Sequence, residues 1–289
     1  MVVPYNKILI NFNAHTHTIY CDGKGSFREY ADFAIKNSIS LIGFSSHAPI
    51  NFENNFSINI NLIQKYVDEI RFLNQFYGEQ IELFVGLECD YIPDFSFPFD
   101  KFRNEYNLDY IIGGIHLVEN TDSKELWFID GSMQKNYDIG LENVFNNDIR
   151  KGVTQYFMQM MEMIETQNFE VLAHLDKIKM HNAGRFFSED DYWYKNLCLG
   201  VVDLLKNKDI IVEINTRGIY KKRCPDFYPS RFILENLLKN KTRITLSSDA
   251  HQPQELNLLL DDAAIYAKSI GFKDVWKPAQ NGLWESVQI

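Results

Sequence analysis

The chain has 289 residues, of which 45% are hydrophobic and 24% are charged, as in an ordinary globular protein. Its formal net charge of −10 argues against a large surface for nucleic acid or acidic membrane, although bound metal ions would still allow a small anionic substrate. No apolar stretch has the length of a membrane span, and the four cysteines form no CxxC pair. We therefore expect a cytoplasmic protein with no nucleic-acid partner and no membrane partner.

Short β-rich runs alternate with amphipathic stretches of helical periodicity along most of the chain. In chain order, the apolar runs are Ile8–Phe12, Leu41–Phe44, Ile81–Leu87, Tyr110–Ile115, Glu170–Ala173, Ile210–Ile214 and Arg243–Leu246. The amphipathic stretches are Arg28–Asn37, Ile60–Phe76, Ile149–Thr166, Asp191–Lys206, Ser230–Lys239 and Leu256–Ser269. This alternation predicts βα units around a parallel sheet, and seven strands favour a closed or nearly closed barrel. Because no linker divides the sequence, we expect one domain over residues 1–289, with a core at about 8–270 and a loop-rich insertion at about 119–148.

Six of the seven histidines lie at the predicted C-terminal ends of these strands, together with carboxylates in equivalent positions. The histidines are His15, His17, His47, His116, His174 and His251, and the carboxylates are Glu88 and Asp249. In a βα barrel these strand ends converge on one face, which is where active sites are built. They occupy roughly a tenth of a barrel chain, so chance does not explain the clustering.

One residue separates His15 from His17, and one residue separates Asp249 from His251. Alternate residues of an extended chain point to the same side, so each pair can reach one ion. Imidazole and carboxylate ligands suit zinc, manganese or iron, whereas magnesium or calcium would require mostly oxygen ligands. The sequence therefore predicts a site for more than one transition-metal ion.

Seven short motifs follow one another along the chain, and they are HTHTxxCDG, SSHAP, GLExDYIP, GGIHLV, AHLDKIK, EINTRGIYK with a following YPS, and SSDAH. This ordered set resembles the PHP (polymerase and histidinol phosphatase) family, and within it the stand-alone histidinol-phosphate phosphatases. The resemblance runs from about Asn13 to His251. It implies a distorted, TIM-like (β/α)7 barrel of a single domain, with two to three divalent transition-metal ions that are zinc, iron or manganese.

The resemblance also implies which side chains hold each metal. The first ion would be held by His15, His17, Glu88 and Asp249, the second by Asp22, His47 and His251, and the third by Glu88, His116 and His174. Glu88 would then lie between two ions. Asp22 is a departure, because many members of the wider family have a histidine at or beside this position.

The activity implied is hydrolysis of L-histidinol phosphate to L-histidinol and phosphate, so the expected partner is a small phosphorylated metabolite. Cleavage of a phosphate ester needs a nucleophile at neutral pH and neutralisation of charge on the phosphoryl group, and clustered metals supply both. We expect the catalytic group to be a metal-bridging water beside Glu88 and Asp249. The oligomeric state stays open.

No glycine-rich phosphate loop is present, so basic side chains are expected to help the metals hold phosphate. Arg217 follows the sixth predicted strand, and the fork geometry of a guanidinium suits two phosphate oxygens. Lys177, Lys179 and Arg231 are further candidates. For all four residues the alternative is a solvated charge or a structural ion pair.

The loop after His116 is expected, from the resemblance, to cover the substrate. Within the segment WFIDG, Trp127 and Phe128 are candidates to pack on an imidazole ring, and Asp130 or Glu119 is a candidate to meet a substrate ammonium group. An aromatic cluster that ties the loop to the barrel is an equally good interpretation.

Three other functions use the same residue types. Another small phosphomonoester or a nucleotide would fit the same metal site, because the leaving group is recognised by the loops. A non-enzymatic PHP module that accompanies a polymerase is disfavoured by the acidic chain, the lack of an appended polymerase segment and the intact ligand set. A Ser-His-Asp hydrolase is disfavoured because the sequence contains no GxSxG elbow.

Overall fold

Seven parallel strands form one sheet, in which they are arranged in the order of the chain. The computed structural model describes residues 9–289, so residue 8, with which the first predicted strand begins, lies outside the described part. The strands of this sheet are β1 (Phe12–Asn13), β2 (Leu41–Phe44), β3 (Glu82–Asp90), β4 (Tyr110–Gly114), β7 (Val171–Leu172), β8 (Ile211–Asn215) and β9 (Ile244–Ser247). Two antiparallel hairpins are formed by β5 (Leu117–Glu119) with β6 (Leu126–Phe128), and by β10 (Asp274–Pro278) with β11 (Trp284–Gln288). The predicted seven-stranded parallel arrangement is confirmed.

Helices connect most of these strands and cover the outside of the sheet. They are α1 (Phe27–Lys36), α2 (Ile63–Tyr77), α3 (Phe99–Tyr106), α4 (Gln134–Phe145), α5 (Ile149–Thr166), α6 (Tyr192–Leu205), α7 (Arg217–Tyr220), α8 (Arg231–Lys239) and α9 (Leu260–Ile270). Helix α1 begins with a capping box, in which the N–H of Ser26 donates to the Glu29 carboxylate at 2.8 Å and the N–H of Glu29 donates to the Ser26 hydroxyl at 3.4 Å. None of the helices between residues 9 and 289 is long and apolar enough to cross a lipid bilayer.

The barrel is nearly closed, and the gap between β1 and β9 is bridged just beyond their carboxyl ends. The N–H of His17 donates to the carbonyl of Ala250 at 2.8 Å, and the N–H of Ala250 donates to the carbonyl of His15 at 3.1 Å. This bridge places the HxH motif beside the DxH motif, although more than 230 residues separate them in the sequence.

The interior of the barrel is filled by the side chain of Tyr110, from β4. Its hydroxyl donates to the carbonyl of Ala14 at 2.6 Å. A Cβ atom at Gly43 would lie 2.2 Å from this hydroxyl, and one at Gly86 would lie 2.5 Å from the ring. Strands β2 and β3 therefore need glycine here, because any side chain would overlap the tyrosine. Trp284 of the C-terminal hairpin packs edge-on against Tyr110, with ring centroids 5.9 Å apart.

Two regions differ from the sequence-based expectation. The insertion at 119–148 was expected to be loop-rich, but it contains β6 and the 12-residue helix α4. The indole of Trp127 is fully buried against Tyr137 and Phe145, and its N–H donates to the carbonyl of Tyr137 at 2.9 Å. The buried indole thus packs between β6 and α4. The β10–β11 hairpin also packs on the barrel beyond residue 270, with Val275 fully buried.

Candidate metal centre

The side chains expected to bind metal all come together at the carboxyl ends of the barrel strands. His15 and His17 follow β1, and Asp22 lies in the loop before α1. The remaining members lie at or after the ends of later strands, and they are His47, Glu88, His116, His174, Asp249 and His251. Most are buried, and the side chain of Asp22 is the most exposed at 35%.

A first group consists of His15, His17, Glu88 and Asp249. The Nε2 atoms of the two histidines lie 3.1 Å apart, and Glu88 Oε2 lies 3.2 and 3.3 Å from them. Asp249 Oδ1 lies 3.4 Å from Nε2 of His17 and 3.9 Å from Nε2 of His15. A tetrahedral ion with bonds of about 2.0–2.1 Å holds its ligand atoms about 3.3–3.4 Å apart. The atoms of His15, His17 and Asp249 thus lie close enough to share one transition-metal ion, and Glu88 Oε2 lies at a similar spacing from both histidines.

Glu88 also belongs to a second group of atoms, with His116 and His174. Nε2 of His174 lies 3.0 Å from Glu88 Oε1 and 3.2 Å from Nε2 of His116. Nε2 of His116 lies 3.5 Å from the same Glu88 oxygen. The two carboxylate oxygens of Glu88 thus face different groups, which is the geometry of a carboxylate between two ions.

Asp22, His47 and His251 form a third, more open group. Nε2 of His251 lies 3.2 Å from Asp22 Oδ2, and Nε2 of His47 lies 4.0 Å from Asp22 Oδ1. His17 adjoins this group through Nδ1, which lies 3.7 Å from Asp22 Oδ1. His47 is shared in the same way, because its Nδ1 lies 3.2 Å from Glu88 Oε2.

The polar atoms of this centre fit divalent cations. Nδ1 of His47 and Oδ1 of Asp249 are buried and have no hydrogen-bond partner among residues 9–289. Such atoms are rare in proteins, because burying a polar group without a partner costs free energy. Six carboxylates also converge here, and they belong to Asp22, Glu88, Asp90, Asp130, Glu213 and Asp249. Divalent cations would supply both the missing partners and the missing positive charge.

Two buried carboxylates that orient the histidines were missed by the sequence-based reasoning. Nδ1 of His15 donates to Glu213 Oε1 at 2.5 Å, and Nδ1 of His116 donates to Asp90 Oδ1 at 2.6 Å. Each ring is thereby held with a proton on Nδ1 and with Nε2 directed at the centre, where a metal ion would take the place of any proton on Nε2. A signal was present for Asp90, because it alternates along β3 with Glu88, which was already assigned to the site.

The electrostatic environments of His15 and His174 differ. Burial by itself lowers the pKa of His15, but the surrounding carboxylates, of which Glu213 acts most strongly, raise it to about 10. At His174, burial and the neighbouring ammonium of Lys177 lower the pKa to about 4. The potential at His15 therefore attracts cations strongly, and His174 is a neutral imidazole with a lone pair available.

Two of these residues also have unusual backbone conformations. His174 has a φ of 24° and Asp249 has a φ of 51°, values that residues other than glycine rarely adopt. The N–H of His174 donates to Glu213 Oε2 at 2.9 Å, which helps hold the conformation. Strain of this kind concentrates at functional sites, where the surrounding structure imposes it.

The family assignment follows from comparison with known proteins. The model of the PHP domain matches residues 13–217, from β1 to just beyond β8. The chain belongs to the PHP family. This confirms the resemblance seen in the motifs. Asp249 and His251 lie beyond the matched segment, and the bridge between β1 and β9 brings them into the same centre.

Relatives of this PHP-domain protein include two curated proteins and one solved structure. The protein from Schizosaccharomyces pombe named "Probable histidinol-phosphatase" is 27% identical over 278 residues, covering 91% of this chain and 87% of the relative. The histidinol-phosphatase of Bacillus subtilis is 24% identical over 262 residues, covering 83% and 93%. The structure of histidinol phosphate phosphatase from Lactococcus lactis, complexed with zinc, L-histidinol and phosphate, has a TM-score of 0.66 at 20% identity, covering 93% and 97%. This last likeness shows that the fold is shared over nearly the whole of both chains.

A small cleft opens above the metal centre of the PHP domain. Its volume is about 230 Å³. Its walls are formed by Asp22, His47, Phe56, His116, Phe128, Asp130, Gly131, Ser132, Arg217, Arg223 and His251. Pockets for drug-sized ligands have volumes of roughly 300–1,000 Å³, so this cleft is suited to a small metabolite.

The four basic candidates for phosphate binding lie in different surroundings. Arg217 lines the cleft, and the hydrogen bonds of its guanidinium within the described part all start from Nη1, which donates to the Asp249 carbonyl at 2.7 Å. The ammonium of Lys177 is buried at the centre, 2.8 Å from Asp130 Oδ2. Lys179 instead forms a buried ion pair with Asp176 at 2.9 Å, outside the cleft lining.

Arg231 lies on the exposed face of α8, where its guanidinium pairs with Glu235 one turn later at 2.8 Å. Lys179 and Arg231 thus each pair with a nearby carboxylate, and neither lines the cleft. Both residues fit the alternative given for them above, a structural ion pair.

The three candidates in the substrate loop, Glu119, Trp127 and Asp130, also lie in different positions relative to the cleft. Asp130 lines the cleft, with Oδ2 at 3.8 Å from Nε2 of His116. Trp127 is buried in the core beneath the loop, and the Glu119 carboxylate accepts from Lys124 at 2.7 Å outside the cleft lining. Trp127 and Glu119 thus do not line the cleft, and the buried Trp127 fits the alternative of an aromatic cluster that ties the loop to the barrel. Strand alternation turns Trp127 inward and its neighbour Phe128 outward. Phe56 and Arg223, which no motif marked, line the cleft instead.

Proposed function

We propose that this PHP-domain protein is a metal-dependent phosphatase that hydrolyses L-histidinol phosphate to L-histidinol and phosphate. The observation that carries the proposal is the spacing of nitrogen and oxygen atoms around Glu88, which matches adjacent transition-metal sites at the floor of a small cleft. The names of the curated relatives and the ligands of the Lactococcus lactis structure support the choice of substrate.

The proposed metal ligands are the nine side chains described above. They would hold two or three divalent ions, and the element is zinc, iron or manganese. Bound in this way, such ions lower the pKa of a coordinated water and neutralise phosphate oxygens. The chain itself holds the ligands in place, because Glu213 and Asp90 fix the tautomers of His15 and His116.

Arg217 is proposed to bind the phosphate group. Its Nη1 is held by the Asp249 carbonyl, by the Tyr220 hydroxyl at 3.1 Å and by Glu255 at 3.3 Å, so the guanidinium is oriented before substrate arrives. The remaining N–H groups are then available to phosphate oxygens, where they would stabilise the negative charge that develops during transfer.

Lys177 is proposed as a positioning residue. Its ammonium lies 2.8 Å from Asp130 Oδ2 and 4.0 Å from Asp249 Oδ2, so it lies between a carboxylate of the cleft and a proposed metal ligand. Oδ1 of Asp130 is buried and has no hydrogen-bond partner within residues 9–289. We assign it to the ammonium group of the substrate, which would supply that partner.

The cytoplasm is the proposed location, because all four cysteines are free thiols and three of them are buried. A reducing compartment keeps thiols in this form. The small cleft supports a metabolite rather than a nucleotide or a polymer as the substrate.

The test is a panel of phosphomonoesters with purified protein of known metal content. We expect kcat/KM for L-histidinol phosphate to exceed that for nucleotides and sugar phosphates by at least about tenfold, which corresponds to about 1.4 kcal/mol of selective transition-state binding. Equal rates across the panel would remove the substrate assignment and leave a general phosphatase. A lack of activity with every ester in the metal-loaded protein would remove the phosphatase assignment too.

A further inference from the structure

Two phenylalanine rings form an apolar wall of the cleft that the metal chemistry does not use. Phe56 comes from the loop after β2, and Phe128 ends β6. Their rings are nearly parallel, with an interplanar angle of 13° and centroids 6.1 Å apart. We propose that this wall is the subsite for the imidazole ring of the leaving group, and this inference rests on the proposed function.

Phe128 is held in position by its hairpin and still leaves much of its ring uncovered. It pairs with Leu117 across the β5–β6 ladder, and the next residue, Ile129, donates its N–H to the His116 carbonyl at 3.0 Å. The side chain is nevertheless 40% exposed, and it faces the cleft. A rigidly held aromatic face beside a reaction centre can bind a flat ring at little entropic cost.

Phe56 is held in place by a turn in the loop after β2. The Asn54 carboxamide oxygen accepts from the N–H of Phe56 at 3.1 Å, and the N–H of Ile58 donates to the His47 carbonyl at 2.9 Å. The ring of Phe56 meets His47 edge-on, with centroids 5.7 Å apart. The wall therefore adjoins a proposed metal ligand, and a ring seated on it would lie beside the metal centre.

The aromatic faces of the wall favour one kind of ring. The charged side chains that line the cleft are two carboxylates, Asp22 and Asp130, and two guanidinium groups, Arg217 and Arg223, so they do not by themselves favour a cation. A ring that carries positive charge gains instead from the negative face of a phenylalanine. Imidazole, which takes up a proton near neutral pH, has both the flat shape and the charge that this wall favours.

The subsite is tested by Phe128→Leu, which keeps an apolar side chain but removes the aromatic face. Phe52→Leu is the matched control, because Phe52 lies in the same apolar cluster as Phe56, packs edge-on against Phe95 at 5.5 Å and does not line the cleft. The two substrates are L-histidinol phosphate and O-phosphoethanolamine, which keeps the amine and the phosphate but has no ring. The measured quantity is the ratio of kcat/KM for the first substrate to that for the second.

We expect Phe128→Leu to lower this ratio about tenfold, mainly through KM, because an aromatic or cation–π contact of this kind contributes about 1.4 kcal/mol, which is tenfold in an equilibrium constant. The Kd of L-histidinol, measured by calorimetry on the metal-loaded protein, should rise by a similar factor. Phe52→Leu should keep the ratio within twofold.

Failure of the subsite and failure of the function give different results. If wild-type protein prefers L-histidinol phosphate and Phe128→Leu keeps the full preference, the subsite is wrong and the function stands. An equal loss with both substrates would make Phe128 a structural residue and would also overturn the subsite. If wild-type protein has no preference between the two substrates, the proposed function falls and the subsite falls with it.

Discussion

Replacing Glu213 with glutamine tests whether a buried carboxylate controls metal binding from behind the ligands. Glu213 is fully buried, and its Oε1 accepts from His15 Nδ1 and from the Ser247 hydroxyl. Its Oε2 accepts from the N–H of His174 and from Asn215 Nδ2, at 2.9 and 3.0 Å. Although burial raises its pKa, the charge of His15 holds the net pKa of Glu213 below its usual value, so the group is a carboxylate.

A glutamine has nearly the same volume, but its amide replaces one acceptor oxygen by an NH2 group. That group would face donors on one side of the site, and each buried polar group left without a partner costs about 1–3 kcal/mol. The proton on His15 Nδ1 would also lose its charged acceptor, so the direction of the Nε2 lone pair would no longer be enforced. Removing such an outer partner lowers metal affinity about 10–100-fold, which corresponds to about 1.4–2.8 kcal/mol.

The assay is a competition between the protein and a chromophoric chelator, with metal content read by elemental analysis after dialysis. The matched control is Glu170→Gln, because Glu170 makes similar bonds at the opposite end of the barrel, accepting from Arg103 at 2.9 Å and from the N–H of Ile111 at 2.7 Å. We expect the control to bind metal like the wild type. Unchanged affinity in Glu213→Gln, with the fold intact by circular dichroism, would refute the reasoning.

Three further predictions concern the same structure. Removing the metals with a chelator should abolish phosphatase activity and lower the Tm, because ions that bind only the folded protein stabilise it by mass action. Adding zinc or manganese should restore both, and an unchanged Tm would argue against a metal centre. Arg217→Ala should lower kcat/KM by about two to three decades with metal content retained, as for the loss of one oxyanion donor, whereas Arg231→Ala should stay within about twofold; equal effects would show that phosphate is held elsewhere. Trp127→Ala should lower the free energy of unfolding by about 3–5 kcal/mol in denaturant titrations, because removal of the fully buried indole leaves a cavity. A loss below about 1 kcal/mol would show that the insertion is not ordered by this side chain.

Much of the barrel follows from local patterns in the sequence. The predicted helix Ile149–Thr166 and the predicted strand Leu41–Phe44 have the same bounds in the structure. The helix was predictable because burial of one face gives apolar residues a period of about 3.6. The strand was predictable because burial of both faces gives a short continuous apolar run. Helix α3 and the C-terminal hairpin were missed, since short segments with mixed aromatic and charged residues have no clear period.

Residues of the cleft wall show the limit of such reasoning. Phe56 was missed because its role depends on a turn made by Asn54 and on the position of a hairpin far along the chain. Trp127 and Phe128 are adjacent in sequence, but one is buried and the other faces the cleft. Only the direction of the strand relative to the barrel separates them.

The sequence by itself determined the order of the strands and the presence of histidines and carboxylates at their carboxyl ends, because parallel βα units place those ends on one face. The tertiary structure decided which nitrogen of each histidine faces the centre, since this depends on partners such as Glu213 that lie nearly 200 residues away from His15. It also decided which charges are available to a ligand. Arg217 and Lys179 look alike in the sequence, yet one lines the cleft and the other is neutralised by Asp176. Ion pairs form between side chains that are close in space, and that closeness exists only once the barrel has closed.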